Sequence, residues 1–437
     1  MFDTIYSLAS GALPSAIAII RISGPQTLSI IASMTGLDPR PNHMYYTNLN
    51  TQNGELIDTV MMVFFKKPHS FTGEDSAEFF LHGSKPIINL FMEELAKFPG
   101  VRPSELGEYS RRSFYNGKMD LIEAESLADL YEAETEAQRK LSIKGTSKEL
   151  SKLYNSWRNE ILEAMAYITA ELDFSQEEDI ASLDNTAIWK KLENLANSIT
   201  THLSFAKTSD IIKNGYKVAL IGKPNAGKSS LFNKICGKNT AIVTEIPGTT
   251  RDVIEGKLNL AGLDVFFFDT AGIRETEDKV EKIGVERSKE KIEEADLIFY
   301  LKDINDTENL ELPNNKEIWQ IYTKQDVSRE TSAIESNIFY TSIYNNESIE
   351  NLKIALQNHI KHLLPEYGAM LPVKQRHIYL LQETINNLKE AIEKNYLPIE
   401  IRVEFIRNAA NNIGQIIGKI DVENILDIIF SKFCVGK

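Results

Sequence analysis

Near the middle of the sequence, an apolar run leads directly into a glycine-rich loop. Val218 to Ile221 predicts a buried strand, Gly222-x-x-x-x-Gly227-Lys228-Ser229 follows it, and the residues from Leu231 onward are typical of a helix. This order predicts a phosphate-binding P-loop, because glycines let backbone N–H groups approach phosphate oxygens closely. Lys228 is expected to bind the β- and γ-phosphates, and the Ser229 hydroxyl to ligate Mg²⁺. The chain is therefore predicted to bind a nucleoside triphosphate.

Composition and charge are those of an ordinary globular protein. The 437 residues, 42% of them hydrophobic and 25% charged, are enough for roughly two to four domains. A net charge of −14 argues against broad electrostatic binding of nucleic acid, but it allows a local basic face or a nucleic acid held mainly by a partner. The chain has only Cys236 and Cys434, no apolar run of 18 residues and no basic leader. We therefore expect a cytoplasmic protein without disulfides, signal peptide or membrane span.

Residues 1–116 predict an α+β domain. Strands are expected at Ala16–Ile22, Val60–Phe65 and Ala77–Leu81, followed by a helix to about Lys97 and a basic helix around Arg111 and Arg112. Arg21 and Glu78 interrupt two of these apolar strands. Each side chain is expected either to point from an edge strand into water, or to line a charged pocket for a small anionic or heteroaromatic ligand.

Two helical blocks flank the P-loop region. Residues 117–212 have apolar residues at helical spacing, and the same pattern resumes in residues 368–437, where Asp421 is a candidate N-cap for the last helix. Because neither block is complete alone, we predict one helical domain with an α/β domain, residues 213–367, inserted into it. A long coiled coil is less consistent with the sequence, since the loop at 175–184 interrupts the heptads.

The inserted region carries further nucleotide motifs. A hairpin is expected from Val253–Leu260 and Leu263–Phe268, with later strands at 297–301, 317–322 and 338–341. Asp269-Thr270-Ala271-Gly272 follows the second hairpin strand, where the carboxylate is expected to hold Mg²⁺ through water and Gly272 to contact the γ-phosphate. The loop at 248–252 resembles a switch loop in which Thr250 ligates Mg²⁺, the alternative being a solvated turn.

Thr323-Lys324-Gln325-Asp326 follows a predicted strand and indicates the base. The Asp326 carboxylate is expected to accept hydrogen bonds from the two N–H donors of guanine, a pair that adenine does not offer. GTP-binding domains usually have asparagine where this chain has Thr323, so we expect guanine specificity with weakened affinity. The second base-recognition loop, at Ser342, is also unusual, because Ile343 follows the serine in place of alanine.

The residue that activates water is not obvious. Ile273 follows the Asp-Thr-Ala-Gly motif, and an apolar side chain cannot polarise water. Glu281 is the candidate for this role. No arginine finger can be assigned, although Arg251 and Arg274 lie nearby, and a monovalent cation held partly by Asn225 would replace a finger electrostatically.

The whole chain resembles the MnmE/TrmE family of tRNA-modification GTPases. The matching stretches lie at both ends as well as in the GTPase motifs, namely Ile20-Arg-Ile-Ser-Gly24, Ser70-Phe-Thr-Gly-Glu-Asp75, Gly107-Glu-Tyr-Ser110 through Lys118-Met-Asp-Leu121, Glu171-Leu-Asp-Phe174 and Phe433-Cys-Val-Gly-Lys437. The resemblance implies a homodimer that forms an α2β2 complex with the FAD-dependent MnmG (GidA) subunit. The complex would install an aminomethyl or carboxymethylaminomethyl group at C5 of the wobble uridine in certain tRNAs.

The resemblance also implies a set of site residues. The one-carbon donor, a tetrahydrofolate derivative in the 5-formyl or methylene form, would lie where two N-terminal domains meet, and its pocket would use Arg21, Glu78, Lys118 and Lys437. GTP hydrolysis would need K⁺ and G-domain dimerisation, with K⁺ held by Asn225, Thr244, Ile246 and Thr249, and Mg²⁺ by Ser229 and Thr250. Glu281 matches the family's general base, and Cys434 would take part in the modification chemistry. The GTP site would comprise Asn225, Ala226, Gly227, Lys228, Ser229, Ser230, Thr244, Glu245, Ile246, Pro247, Gly248, Thr249, Thr250, Asp269, Thr270, Ala271, Gly272, Thr323, Lys324, Asp326 and Ser342.

Two other functions remain open at this point. A ribosome-assembly switch GTPase would share the nucleotide motifs, and a folate-dependent one-carbon enzyme would share the N-terminal ones. On the residues alone, Lys118 would be a solvated lysine at a helix start, and a near-terminal cysteine such as Cys434 is more often a packed small hydrophobic residue. The chain also departs from the family in Val435, in the Ser342 loop and in a glycine-poor first loop at 7–15.

Overall fold

The computed structural model describes residues 3–174, 185–236, 256–269, 291–304, 306, 310, 312–325, 337–364, 371–372, 374–420, 423–431, 433 and 436. The chain forms two compact units. The first comprises Met1–Glu132, Ser142–Thr200 and Lys374–Lys437, and the second comprises Ala133–Leu141 and Thr201–Val373. None of the helices in the described ranges has the length and apolar character required to cross a bilayer.

The first unit begins with a six-stranded sheet in the order β3-β4-β5-β2-β1-β6. Its strands are β1 (Thr4–Leu8), β2 (Ser15–Ser23), β3 (Met44–Asn50), β4 (Leu56–Phe65), β5 (Ser76–Gly83) and β6 (Val101–Pro103). All neighbours are antiparallel except β1 and β6. The predicted strands are confirmed as β2, β4 and β5, whereas β1, β3 and β6 were not predicted.

Two helices of the N-terminal domain, α1 (Thr27–Thr35) and α2 (Lys85–Ala96), share one apolar core with the strands. Gly36 ends α1 because its φ of 73° is left-handed, a conformation that favours glycine. Pro86 lies near the start of α2, where its missing N–H would have no intrahelical partner. Ile20, Phe79 and Phe91 are fully buried between sheet and helices, so the strands and helices form one α+β core.

The rest of the first unit is helical. Its helices are α3 (Glu108–Tyr115), α4 (Leu121–Glu132), α5 (Glu136–Thr146), α6 (Glu149–Phe174), α7 (Asn185–Leu203), and, after the second unit, α11 (Gln375–Glu393), α12 (Ile399–Ile416) and α13 (Glu423–Phe430). The unit boundaries fall within α5 and α7, so each of these two helices contributes residues to both units. Residues at the predicted helical spacing are buried, among them Leu192 and Ile199 of α7 and Leu381 and Ile385 of α11. The predicted loop at 175–184 and the N-cap Asp421 lie outside the described residues.

The second unit contains a mostly parallel sheet in the order β12-β11-β10-β7-β9-β8. Its elements are α8 (Ala206–Asn214), β7 (Tyr216–Ile221), α9 (Lys228–Cys236), β8 (Gly256–Leu260), β9 (Leu263–Asp269), β10 (Leu297–Asp303), β11 (Glu317–Thr323), β12 (Ile338–Tyr340) and α10 (Asn346–Leu363). Only β8 and β9 pair antiparallel, which confirms the predicted hairpin over its described residues. Strand β7 lies inside the sheet between β10 and β9, so it is apolar on both faces and Val218, Ala219 and Leu220 are fully buried. This is a Ras-like α/β domain.

Candidate functional site

The P-loop follows β7 at the carboxyl edge of the parallel sheet, the usual place for ligands in such sheets. A Cβ atom at Gly222 would lie 2.4 Å from the Leu301 carbonyl oxygen of β10, so only glycine fits between the two strands. Asn225 and Gly227 both have left-handed φ angles, 64° and 88°, which turn the loop back on itself. The loop therefore has the tight shape that the sequence predicts.

Lys228 begins α9 and lies folded over this loop. Its ammonium group donates hydrogen bonds to the carbonyl oxygens of Gly222, at 2.7 Å, and Lys223, at 3.1 Å. The side chain is 9% exposed, which strengthens its electrostatic effect on a phosphate beside it. Ser229 and Ser230 are exposed in the first turn of α9, where helix N–H groups and hydroxyls can face an anion and its metal ion.

Two further predicted positions adjoin the P-loop. Asp269 ends β9, and the β9 register pairs it with Leu220, two residues before Gly222. Thr323 ends β11, and its buried hydroxyl donates to the carbonyl oxygen of Ala226 at 3.0 Å. Threonine in the asparagine position thus keeps a direct hydrogen bond between the base-recognition loop and the P-loop.

The two base-recognition loops are joined by hydrogen bonds. Lys324 has a φ of 62°, and its ammonium pairs with the Asp303 carboxylate at 2.6 Å. The backbone N–H of Gln325 donates to the Thr341 carbonyl at 3.2 Å, immediately before Ser342. Ser342 is buried and its hydroxyl accepts a hydrogen bond from the N–H of Tyr344 at 3.2 Å. The structure therefore brings the two predicted loops together.

Several predicted nucleotide residues lie outside the described part of the chain and stay predictions. They are Thr244, Glu245, Ile246, Pro247, Gly248, Thr249, Thr250, Thr270, Ala271, Gly272, Glu281 and Asp326. Two candidates near the chain's C-terminal motif, Cys434 and Lys437, also lie outside it.

A second candidate site centres on Arg21 and Glu78 in the first unit. The two residues face each other directly across β2 and β5. Arg21 Nε lies 2.9 Å and Nη2 lies 2.8 Å from Glu78 Oε1. The edge-strand interpretation of these charges is wrong, because β2 lies between β5 and β1, and β5 lies between β4 and β2. The two side chains are only 25% and 21% exposed, so they form a partly sheltered ion pair.

Aromatic side chains hold the Arg21 guanidinium, and sequence reasoning had assigned them no role. Its central carbon lies 5.6 Å from the ring centroids of both Phe71 and Tyr109. The buried Tyr109 hydroxyl donates to the Arg21 carbonyl at 2.8 Å, and burial raises the pKa of that phenol. Phe71 lies in the stretch 70–75 and Tyr109 in the stretch 107–110, both of which resemble the MnmE/TrmE family. That resemblance is the sequence feature that could have indicated a role for them.

Gly436, a residue of the C-terminal motif, contacts Arg21 of the same pocket. Arg21 Nη1 donates to the Gly436 carbonyl at 3.5 Å. Gly436 has a φ of 96°, and a Cβ there would lie 2.4 Å from the Leu8 carbonyl oxygen, so glycine is required for this close approach. Lys118, another predicted pocket residue, donates instead to the Pro68 carbonyl at 2.8 Å, in the loop that leads to Phe71.

A buried ion network supports the loop at 70–75. Arg112, fully buried, pairs with carboxylates of Asp3, Glu74 and Glu108 at 2.9 to 3.1 Å. Burial raises the pKa of the Glu108 carboxyl, but hydrogen bonds from Arg102 and Arg112 outweigh this effect, and the pKa is lowered overall. The predicted basic helix therefore directs Arg112 inward, and Glu74 is fixed by a buried cation.

Together, these elements define a class of protein. It is a Ras-like P-loop GTP-binding protein that also carries an N-terminal α+β domain and a helical domain. The family model described as "MnmE helical domain" matches residues 121–434, and the model described as "GTP-binding protein TrmE N-terminus" matches residues 4–118. The chain belongs to the MnmE family of tRNA modification GTPases, and it is a GTPase.

Curated relatives are similar to this chain along its full length. The chain is 44% identical to tRNA modification GTPase MnmE of Bartonella quintana (strain Toulouse) over 436 residues, covering 100% of both chains. It is 42% identical to the protein of the same name from Bartonella henselae, again covering 100% of both. Among solved structures, the G domain of the T. maritima FeoB iron transporter is 23% identical, with a TM-score of 0.25, and the match covers 34% of this chain and 98% of that one.

Proposed function

We propose that this protein is a potassium-stimulated GTPase that takes part in modifying C5 of the wobble uridine in certain tRNAs. It acts with an FAD-dependent MnmG-type (GidA) flavoprotein in an α2β2 complex, and FAD is bound by that partner alone. The added group is aminomethyl or carboxymethylaminomethyl, with a tetrahydrofolate derivative as one-carbon donor. The similarity to tRNA modification GTPases over the full chain supports the reaction class. The main support for a folate site is the contact between the Gly436 carbonyl and Arg21, which is paired with Glu78.

The second unit, which contains the P-loop and is called the P-loop unit below, hydrolyses GTP. Lys228 neutralises charge on the β- and γ-phosphates, and its position over the loop supports this role. Ser229 and Thr250 would hold Mg²⁺, with Asp269 contacting the ion through water. When bound, the metal stabilises charge on the phosphoryl oxygens. Glu281 orients the attacking water and accepts its proton.

A potassium site next to the P-loop takes the place of an arginine finger. Its proposed ligands are Asn225, Thr244, Ile246 and Thr249. The exposed, left-handed position of Asn225 supports a ligand role for its side-chain oxygen. GTP turnover measured in KCl should exceed turnover in NaCl of equal ionic strength, and Asn225→Ala should remove most of that difference. Equal turnover of the unmodified protein in the two salts would refute the potassium site.

The Arg21 pocket fits a charged heteroaromatic ligand such as a folate. Glu78 offers acceptor oxygens to ring N–H groups, and Arg21 offers donors to carbonyl or carboxylate oxygens. Phe71, 40% exposed, provides an aromatic wall beside them. Lys118 and Lys437 would complete the pocket, and Cys434 would take part in the modification chemistry.

The open face of the N-terminal sheet supports a homodimer. The sheet register places Tyr46, Met61 and Phe80 in line, on the face that also carries Glu78. Tyr46 is 78% exposed and Met61 45%, and Ile17 on the same face is 60% exposed. An apolar surface of this kind is typical of protein interfaces. Pairing of two N-terminal domains here would place the Arg21 pockets at or near the interface.

The helical domain, residues 117–212 and 368–437, is interrupted by the G domain, 213–367, and the N-terminal domain, 1–116, binds folate. The tRNA is held mainly by the flavoprotein, consistent with this chain's net charge of −14. The complex works in the cytoplasm.

A pair of variants separates the two activities. Lys228→Ala should abolish GTP hydrolysis and leave binding of 5-formyl-tetrahydrofolate intact, because the lysine belongs to the P-loop. Glu78→Gln should weaken folate binding at least about tenfold, since the charge-assisted hydrogen bonds are lost, and leave GTPase activity intact. Both should abolish wobble-uridine modification in a reconstituted reaction with the flavoprotein. Unchanged folate affinity in Glu78→Gln would contradict the pocket assignment, and co-purification with ribosomal subunits without folate binding would favour a ribosome-assembly switch.

A further inference from the structure

Two cations without a carboxylate partner lie where α6 packs against α12 in the first unit. Arg158 of α6 is half-buried, and its Nε is buried without a hydrogen-bond partner. Lys419, just after α12, is exposed. Among the residues that the structure describes, neither cation has a carboxylate within ion-pair distance. This is unexpected in a chain with 62 acidic and 48 basic residues.

The contacts of the two side chains place their charges close together. A Cβ on Gly414 of α12 would lie 3.2 Å from Arg158 Nε, so the glycine gives the guanidinium room. Lys419 Nζ donates to Asn155 Oδ1 at 2.8 Å, and Asn155 lies one turn before Arg158 on α6. Asn155 Nδ2 donates to the Ser151 carbonyl at 2.8 Å, which fixes the orientation of the amide. Each cation is therefore held by a contact with the opposite segment.

Lys152 extends this group along α6. It lies three residues before Asn155, on the neighbouring turn of the same helix face. It is exposed and, within the described ranges, it also has no carboxylate partner. The helix rises roughly 9 Å from Lys152 to Arg158. We call Lys152, Arg158 and Lys419 the basic patch.

The end of α12 does not account for these cations, although a positive charge there would stabilise the helix dipole. The carbonyls of Gln415 and Ile416, in its last turns, accept hydrogen bonds from Arg376. Lys419 Nζ donates to α6 instead, and in the described part of the chain Arg158 Nε donates to no acceptor. A partly buried charge without a counter-ion is costly, so the arrangement favours an anion from another molecule.

We infer that the basic patch binds phosphate groups in the backbone of the tRNA substrate. The inference rests on the proposed function, because that function supplies the tRNA. A guanidinium can donate two parallel hydrogen bonds to a phosphate, and an ammonium adds a compact charge. Cations spread along roughly 9 Å of helix suit successive phosphates, whereas a protein partner usually also needs an apolar centre. Phosphate contacts carry no sequence information, so the basic patch positions the tRNA and does not select it.

The test measures tRNA affinity by fluorescence anisotropy at several KCl concentrations, with the full-length protein in its complex with the flavoprotein. Lys152→Gln/Lys419→Gln should weaken binding roughly tenfold or more at low salt, because two charged contacts are lost. The slope of log Kd against log salt concentration should fall by roughly 1.5. The matched control is Lys190→Gln/Lys389→Gln, which removes two exposed lysine charges from α7 and α11 of the same unit. The control should change affinity by less than about twofold.

Equal effects of the two double variants would overturn the inference, because net charge alone would then explain the loss. An affinity and a salt slope that Lys152→Gln/Lys419→Gln leaves unchanged would also overturn it, and weaker binding of the flavoprotein by that variant would identify a protein contact instead. Arg158→Gln should likewise weaken tRNA binding, but if this half-buried substitution prevents folding, the exposed pair still decides the question. A complex of unmodified proteins that binds no tRNA would refute the proposed function, a result distinct from tRNA binding that does not depend on the basic patch.

Discussion

Glu125 lies at the centre of a buried charge cluster that joins α4 to the start of α11. Arg376 Nη2 donates to both carboxylate oxygens at 3.1 Å, and His377 Nε2 lies 2.7 Å from Oε2. Arg376 also donates to the carbonyls of Gln415 and Ile416 near the end of α12. The cluster therefore joins α4, which precedes residues 201–373 in the sequence, to α11 and α12, which follow them. We predict that Glu125→Gln strongly destabilises the first unit.

The magnitude follows from the loss of one partner of a buried ion pair. Burial raises the pKa of Glu125, but His377 and Arg376 outweigh that effect and lower the pKa from 4.5 to about 2. His377 is itself fully buried, which lowers its pKa, so we take it as a neutral donor to the carboxylate, with Arg376 as the cation. Removing one partner of a buried ion pair costs about 3–5 kcal/mol in general. Glu125→Gln should thus lower the free energy of unfolding by about 3 kcal/mol.

Hydrogen exchange is the appropriate assay, because a protein with two compact units need not unfold in one step. Amides of α4 and α11 in Glu125→Gln should exchange with an opening free energy lower by about 3 kcal/mol than in the unmodified protein. The matched control is Glu404→Gln, which breaks an ion pair to Arg407 in which both side chains are 53% exposed. The control should change the same amides by less than about 1 kcal/mol. Equal effects of the two substitutions would refute the reasoning.

Three further predictions concern acid stability and the two sites. The pKa values of His377 and Glu125 are both lower in the folded state than in the unfolded chain, so the unfolded chain takes up protons first as pH falls. The first unit should therefore lose stability as pH falls below 6.5, and lose more from pH 4.5 toward 2. Unfolding followed by circular dichroism should show both losses, and greater stability at pH 5 than at pH 7 would contradict the prediction. Gly222→Ala should weaken GTP binding at least about tenfold, because the alanine Cβ would lie 2.4 Å from the Leu301 carbonyl oxygen. Calorimetry measures the affinity, and an unchanged value would show that β10 can move to accommodate the methyl group. Gly436→Ala should weaken binding of 5-formyl-tetrahydrofolate several-fold, roughly the loss of one or two hydrogen bonds, while GTP turnover stays constant; a parallel fall in turnover would instead indicate general misfolding.

The second unit was the more predictable part of the fold. Its parallel strands are buried on both faces, so they appear in the sequence as continuous apolar runs such as Val218 to Ile221. The N-terminal strands that were missed are short or alternate in polarity. Three of the seven residues of β3 are tyrosine or methionine, and one of them, Tyr46, is largely exposed. A pattern of that kind has no clear buried face until the neighbouring strand is known.

The site residues were predictable as types but not as pairs. The ion pair of Arg21 with Glu78 depends on the register between β2 and β5, which connects residues 57 positions apart. The hydroxyl of Thr323 could be recognised as an unusual substitution, yet the acceptor that it takes depends on the distance between two loops. The roles of Phe71 and Tyr109 follow only from the rings' positions beside the guanidinium. Sequence therefore identifies the chemistry, and three-dimensional contacts assign its partners.

The contact between Arg21 and Gly436 also sets an order of assembly during synthesis. The two residues are 415 positions apart, and at about 5–20 residues per second the ribosome needs roughly 20–80 s to make the chain between them. The P-loop unit, whose residues all precede Lys374, can fold while the rest is still being translated. The nucleotide site would then be complete before the Arg21 pocket. A chain whose synthesis stops in the last helix would still be able to bind nucleotide after release from the ribosome. It would lack the Gly436 carbonyl that contacts Arg21.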